Sequence, residues 1–189
     1  MATAEVTTVI LAGGRATRLP GKLERPVHGE PLLARVYHHL RDAAPVVIAG
    51  AGTFAPGLDD MLDCPLIVDR WPDRGPLAGL LSACSEISTP WIFAVAGDAP
   101  HVTPRVLQTL LEARQESDEA VVSEHDGTLE PLASLYRRDA LEREGHDVLH
   151  EGNASMHAVL DRLRVRRVAM AAELFLNINT PADLDAAQR

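Results

Sequence analysis

The sequence predicts an α/β fold with a mostly parallel central sheet covered by helices on both faces. Three observations carry that expectation. The runs VTTVIL, PVVIA, PLIVD and WIFAVA are continuously apolar rather than alternating, as in strands buried on both faces. Segments with helical spacing stand between them. The two kinds of segment alternate through the first two-thirds of the chain, the order expected of strand–helix–strand units.

Each element has its own warrant. Val6–Leu11 is apolar and rich in β-branched residues, a strand signal. Pro31–Ala43 places Leu32, Leu33, Val36, Tyr37 and Leu40 on one side of a helix. Pro45–Ala49 and Pro65–Asp69 read as short buried strands around a Gly- and Pro-dotted loop. Pro76–Ile87 reads as a helix beginning after Gly75, with Pro76 in a first-turn position. Trp91–Ala96 is a strongly apolar strand, and Thr103–Glu116 a helix with Thr103 as N-cap and Pro104 at its first position. Ala120–Glu124 is a fifth strand. The pattern then changes: HDGTLEPLASLY reads as a turn and a strand, RRDALEREG as a short helix, Asn153–Leu163 as a helix and Arg164–Met170 as a strand. Thr180-Pro181-Ala182-Asp183 opens a last helix with a capping-box pattern. The expected organisation is a single domain over 1–189 in two parts, 1–124 and 125–189. Residues 125–170 are expected as a small lobe beside the sheet.

Composition narrows the function. At 189 residues and 46% hydrophobic, the chain has the length of one domain and enough apolar residues for a core. A net charge of -9 argues against general nucleic-acid binding. No apolar run is long enough to span a membrane, and the start reads as a first strand rather than a signal peptide. Two cysteines suggest neither a disulfide framework nor a metal site, so a reducing cytoplasm is the expected location.

The candidate site lies at the carboxyl ends of the strands, where open α/β sheets bind ligands. After the first strand come Ala12, Gly13, Gly14 and Arg15, then Arg18 and Lys22. Glycines let backbone N–H groups approach an anion, and the cations supply charge. The stretch matches neither a Walker A loop nor the dinucleotide fingerprint, and it also suits a plain turn with a basic surface. Asp98, just past WIFAVA, suits a Mg²⁺ held by one or two carboxylates plus substrate phosphates, or equally a turn cap. Asp69 is open in the same way, as a nucleotide contact or a strand-end turn residue. His101 reads as a solvated loop residue and Cys64 as a small buried hydrophobe.

Five blocks, LAGGRATRLPGK with VHGEPLL, IVDRWPDRGPLAGLLSA, FAVAGDAPHVTP, LEPLASLY and FLNINTPADL, resemble the molybdenum cofactor guanylyltransferase family over nearly the whole chain. GPLAG with GDAP and NINTP is the specific part. The resemblance implies a Rossmann-like three-layer sandwich of the nucleotide-diphospho-sugar transferase type. It implies Mg²⁺-dependent transfer of GMP from GTP to the phosphate of molybdopterin. Nucleotide contacts would come from Leu11, Ala12, Gly13, Gly14, Asp69 and the loop Gly75, Pro76, Leu77, Ala78 and Gly79. Lys22, Arg15 and Arg18 would neutralise phosphate charge, Asp98 would hold the metal, and Asn177 and Asn179 would lie near metal and pterin. Partners would be GTP, molybdopterin and, transiently, molybdenum cofactor delivery proteins. The alternatives are a relative using CTP or another phosphorylated acceptor such as a sugar phosphate, or a non-catalytic nucleotide-binding relative. The chain departs from the family's pattern in its short approach to Lys22 through Gly21, in the run Ala49-Gly50-Ala51-Gly52, and in GNASM, which lacks an arginine before its serine.

Overall fold

The continuous apolar runs pair with one another, as strands buried on both faces must. The computed structural model describes residues 5–13, 19–50, 54 and 57–188. Its strands are β1 (Val6–Ala12), β2 (Pro26–Val27), β3 (Glu30–Pro31), β4 (Val46–Gly50), β5 (Leu66–Val68), β6 (Trp91–Ala96), β7 (Ala120–His125), β8 (Thr128–Arg137) and β9 (Val165–Ala169). Its helices are α1 (Leu32–Leu40), α2 (Gly75–Cys84), α3 (Pro104–Ala113), α4 (Arg138–His150), α5 (Met156–Leu160) and α6 (Pro181–Ala187). Seven strands form one sheet in the order β5-β4-β1-β6-β8-β7-β9. Only β8 runs against its neighbours. The short β2 and β3 pair separately.

Strand alternation sorts the core into two layers. Val6 and Ile10 of β1 and Phe93 and Val95 of β6 pack with Leu33, Val36, Tyr37 and Leu40 of α1 and with Val106, Leu107 and Leu110 of α3. Val9, Ile92 and Ala94 face the other way, onto α2, α4 and α5. Phe93, Ile10, Leu33 and Leu80 are fully buried, and each such side chain stabilises by roughly 1.5–3 kcal/mol. The mostly parallel three-layer arrangement is the one the sequence predicts.

Three expectations are corrected. Residues 125–170 are not a lobe beside the sheet, because β8 inserts between β6 and β7 while β9 adds to the edge of β7. A two-residue turn makes this possible: Asp126 (φ 47°) and Gly127 (φ 78°) close the hairpin with His125 opposite Thr128, the Asp-Gly chemistry that such turns favour. The helix after β8 is longer than expected, reaching His150, and the next is shorter, Met156–Leu160. Asn153 N donates to Val148 O at 3.1 Å, a Schellman-type ending, and Asn153 Oδ1 accepts from Ser155 N at 2.9 Å. Those bonds hold 153–155 in a turn. Finally, Thr103 occupies the N-cap position of α3 but its hydroxyl makes no capping bond.

Candidate active site

The sheet order itself makes a crevice. The chain leaves β1 outward through β4 and β5, then returns to β6 on the other side of β1. The strand order therefore reverses between β1 and β6, a topological switch point, where such sheets bind ligands. A cleft of about 560 Å³ opens there. It is lined by Leu11, Gly13, Ala49, Gly50, Asp69, Ala96 and Asp98 from the strand ends, by Asp73, Gly75, Pro76 and Gly79 around the start of α2, and by Lys22, Leu23 and Leu132. That volume suits a nucleotide-sized ligand.

The floor is close backbone packing. A Cβ on Gly50 would lie 2.6 Å from Ala12 O, so only glycine fits where β4 ends against β1. The run Ala49-Gly50 thus has a steric reason.

Lys22 is brought in by the turn before it. Gly21 adopts the left-handed region, φ 65°, ahead of the short 3₁₀ turn Lys22–Glu24, a conformation that costs glycine little. Lys22 N donates to Leu19 O at 3.2 Å, which closes a tight turn through Gly21. Leu19, on the near side of the turn, is buried with Val27, Leu32, Ile178 and Leu184, which ties the loop to the C-terminal segment.

The charges then meet. Lys22 Nζ forms an ion pair with Asp98 Oδ2 and donates to Asn179 Oδ1 at 3.1 Å. Asp98 O accepts from Ile178 N at 3.0 Å. Asn179 N and Thr180 N donate to Asp183 Oδ2 at 3.0 and 2.8 Å, and Asp183 N donates to Thr180 Oγ1 at 3.2 Å, which completes the capping box of α6. The N–H of Asn179, then the hydroxyl and N–H of Thr180, hold the Asp183 carboxyl below its usual range. The segment Ile178–Asp183 is therefore a rigid clasp that touches Asp98 through its backbone and Lys22 through a side chain.

Asp69 is a strand-end turn residue whose position also brings it to the cleft. Its Oδ1 accepts from Trp71 N at 2.9 Å, which frames the turn after β5, and Ser82 Oγ lies 3.3 Å away. It also lines the cleft. The loop it opens is a partition: Asp69, Asp73 and Gly75 face the cleft, whereas Arg70, Trp71, Pro72 and Arg74 line a second depression with His146 and His150.

The structure brings Leu11, Gly13, Lys22, Asp69, Gly75, Pro76, Gly79 and Asp98 to the cleft wall, with Asn179 in contact with Lys22. Ala12, Leu77 and Ala78 are instead buried in the packing behind it. Asn177 is exposed and is not among the lining residues. Gly14, Arg15 and Arg18 fall outside the described residues. Leu23, Asp73, Ala96 and Leu132 line the cleft without having been singled out, and so do Ala49 and Gly50, which the sequence marked only as a departure from the family's pattern. Of these, Leu132 lay within the LEPLASLY block and Asp73 within the loop before GPLAG, both visible in the sequence.

Among the described residues no group of three or more His, Cys, Asp and Glu side chains is placed to hold a metal. Asp98 sets its carboxylate beside Lys22. That donor set fits a hard cation bound mainly through substrate phosphate oxygens, as Mg²⁺ is. Neither cysteine offers a thiolate: burial pushes Cys64 up to about 11 and Cys84 up to about 12.

Comparison with known proteins agrees with this architecture. A MobA-like NTP transferase domain model matches residues 8–168. A probable molybdenum cofactor guanylyltransferase of Natronomonas pharaonis is 31% identical over 97% of both chains. A molybdenum cofactor guanylyltransferase of Desulfosudis oleivorans is also 31% identical, over 97% of this chain and 94% of the relative. The crystal structure of molybdopterin-guanine dinucleotide biosynthesis protein A from Archaeoglobus fulgidus superposes with a TM-score of 0.81 at 26% identity, covering 96% of each chain. A CMP:2-keto-3-deoxy-manno-octonic acid synthetase complexed with CTP shares the fold at TM-score 0.77 and 18% identity, over 97% of each chain. With the switch-point cleft and its lysine–aspartate pair in place, the chain belongs to the MobA-like NTP transferase family of nucleotidyltransferases.

Proposed function

We propose that the protein transfers GMP from GTP to the terminal phosphate of molybdopterin, forming the guanine dinucleotide form of the cofactor. The carrying observation is the cleft at the switch point, with Lys22 and Asp98 side by side at its mouth. Full-length relatives named molybdenum cofactor guanylyltransferase support the choice of nucleotide and acceptor.

In this reading the nucleoside enters between Leu11, Gly13 and the Gly75–Gly79 turn. Guanine presents N1–H and N2–H donors together, and the carboxylates of Asp69 and Asp73 on that wall can accept them. Lys22 holds the phosphates as a point charge, and Arg15 and Arg18, a few positions earlier in the sequence, add positive charge. Asp98 would hold Mg²⁺, which would supply neutralisation of the phosphate oxygens. An oxygen of the molybdopterin phosphate attacks the α-phosphorus of GTP. The bond from that phosphorus to the bridging oxygen breaks, and the electron pair departs with pyrophosphate. The attacking phosphate is already ionised near neutral pH, so no general base is required. Positioning and charge do the work. Asn177 and Asn179 stand on the acceptor side with residues 125–157. The reaction takes place in the cytoplasm, with transient contact to molybdenum cofactor delivery proteins. Two free cysteines are compatible with a reducing compartment, and no helix among the described residues is long and apolar enough to cross a membrane.

The test is pyrophosphate release from each nucleoside triphosphate with Mg²⁺, with and without molybdopterin. Release is expected only with GTP and molybdopterin together. Release with CTP and not GTP overturns the guanine assignment, and no release with molybdopterin under any triphosphate overturns the acceptor. Asp98→Ala and Lys22→Ala are each expected to lower turnover by about 10²–10³-fold, the scale of losing one aligned charge contact.

A further inference from the structure

The cleft holds together two charges that the proposed reaction needs apart. Lys22 Nζ pairs with Asp98 and donates to Asn179 Oδ1 at 3.1 Å, so two of its three N–H groups already have protein acceptors. Both side chains are largely shielded, at 18% and 14% exposure. Neither acceptor sits on a loose element. Asp98 O is bonded to Ile178 N, and Asn179 N is bonded to the Asp183 carboxylate.

We propose that the Lys22–Asp98 pair is a latch that makes the triphosphate and the divalent cation bind together rather than singly. The proposal rests on reading the cleft as a nucleoside triphosphate site. A triphosphate arriving without metal has two options. It can leave Lys22 on Asp98 and forgo its main cation. Otherwise it can draw Lys22 away and set its own negative charge beside a shielded, unpaired carboxylate, which is costly. A cation arriving without nucleotide meets a carboxylate already neutralised by an ammonium group, and among the described residues no group of three or more His, Cys, Asp and Glu side chains stands ready to complete its shell. When both arrive, Lys22 passes to the phosphate and Asp98 to the cation, and every charge is paired again. The coupling is reciprocal by linkage: whatever factor the cation adds to triphosphate affinity, the triphosphate adds to cation affinity. Asp98 thus has a role before any chemistry, as a barrier against metal-free nucleotide.

The experiment is equilibrium binding of GTP, CTP, ATP and UTP, in Mg²⁺ and in EDTA. It is run on the wild type, Asp98→Asn, Lys22→Met and the double variant, with thermal melting to verify folding. Asparagine keeps the shape of Asp98 and replaces the ion pair by a hydrogen bond from the ammonium group to an uncharged amide oxygen. The wild type is expected to bind its preferred triphosphate at least about 10-fold more tightly with Mg²⁺ than in EDTA. Asp98→Asn is expected to bind the metal-free triphosphate several-fold more tightly than the wild type and to lose most of the Mg²⁺ preference. In the Lys22→Met background the same substitution is expected to gain much less, because no ammonium remains to be released. Unchanged or weaker metal-free binding by Asp98→Asn overturns the latch. So does an equal gain in both backgrounds, which would reduce Asp98 to simple repulsion. Failure of the wild type to bind any triphosphate overturns the nucleotide-site reading instead, and the latch with it.

Discussion

Gly50 carries a constraint out of proportion to its size. An added Cβ would lie 2.6 Å from Ala12 O and 3.0 Å from Ala12 C. Those are backbone atoms of β1, held in register by the Ala12–Gly50 pairing, so they cannot yield as a side-chain tip would. Gly50→Ala is therefore expected to destabilise the fold by about 1–3 kcal/mol, as overpacking does, read as a lower urea midpoint. Nucleotide affinity should fall with it, because the strain enters where β1 leads into the cleft. Gly13→Ala makes the contrast: the nearest atom to its added Cβ is Gly50 Cα at 3.9 Å. Its stability should stay within about 0.5 kcal/mol of the wild type, while binding weakens because Gly13 lines the cleft. A Gly13→Ala protein as unstable as Gly50→Ala would refute the steric argument. At this scale the sequence offered residue types without their distances. The glycines after each strand were visible, but that Gly50 faces a carbonyl while Gly13 has room for a Cβ follows only from strand pairing.

Among the elements, the clasp before α6 does the most for the site. Thr180 and Asp183 cap each other, and the same carboxylate holds Asn179 N. Thr180→Ala is expected to cost about 1 kcal/mol, the usual worth of an N-cap hydroxyl. It should also weaken triphosphate binding, since Asn179 would no longer be fixed beside Lys22. Chemical denaturation and equilibrium binding check the two effects, and Thr180→Ser should restore both. The capping pattern was readable from four residues because capping is local chemistry. The strands were readable because burial on both faces leaves an unbroken apolar run. The insertion of β8 between β6 and β7 was not readable, since pairing order depends on long-range contacts that leave no local period. The same limit applied to Lys22, which lies 76 positions from Asp98 and 157 from Asn179. Each block was visible, but their meeting at one ammonium group is a product of topology.

Across the whole molecule the charges divide between the two ends of the sheet. The cleft lies at the carboxyl end of β6, and an arginine–carboxylate network lies at its amino end. Trp91, the first residue of β6, is flanked by the guanidinium groups of Arg114 and Arg137 at 5.0 and 5.1 Å. Asp118 pairs with Arg166 at 2.6 Å, and Glu119 pairs with Arg143 and Arg164 at 3.1 and 3.3 Å. These contacts join the starts of β7, β9 and α4. Burial alone would raise both carboxyl groups. For Asp118, hydrogen bonds from Arg166 and Gln115 outweigh it. For Glu119, those from Arg164 and Arg143 do so, and both groups end below their ordinary 3.8 and 4.5. A depressed carboxylate binds fewer protons in the folded chain than in the unfolded one. Its contribution is therefore complete above the unfolded value, and is lost as pH falls through the folded value. The urea midpoint should hold steady from neutral pH to about 5.5 and then decline through and below the ordinary carboxylate range. Other acids contribute to that decline, and loss of the net negative charge opposes it, so the informative quantity is the difference between proteins. Glu119→Gln should be less stable than the wild type by about 1.5–3 kcal/mol at pH 7, the worth of hydrogen bonds to a charged group. The gap should close as pH falls below 4.5. Triphosphate affinity at pH 7 should be unchanged, because the network is a strand's length from Lys22. A gap that stayed constant through the acid range would mean that Glu119 contributes by packing rather than by charge.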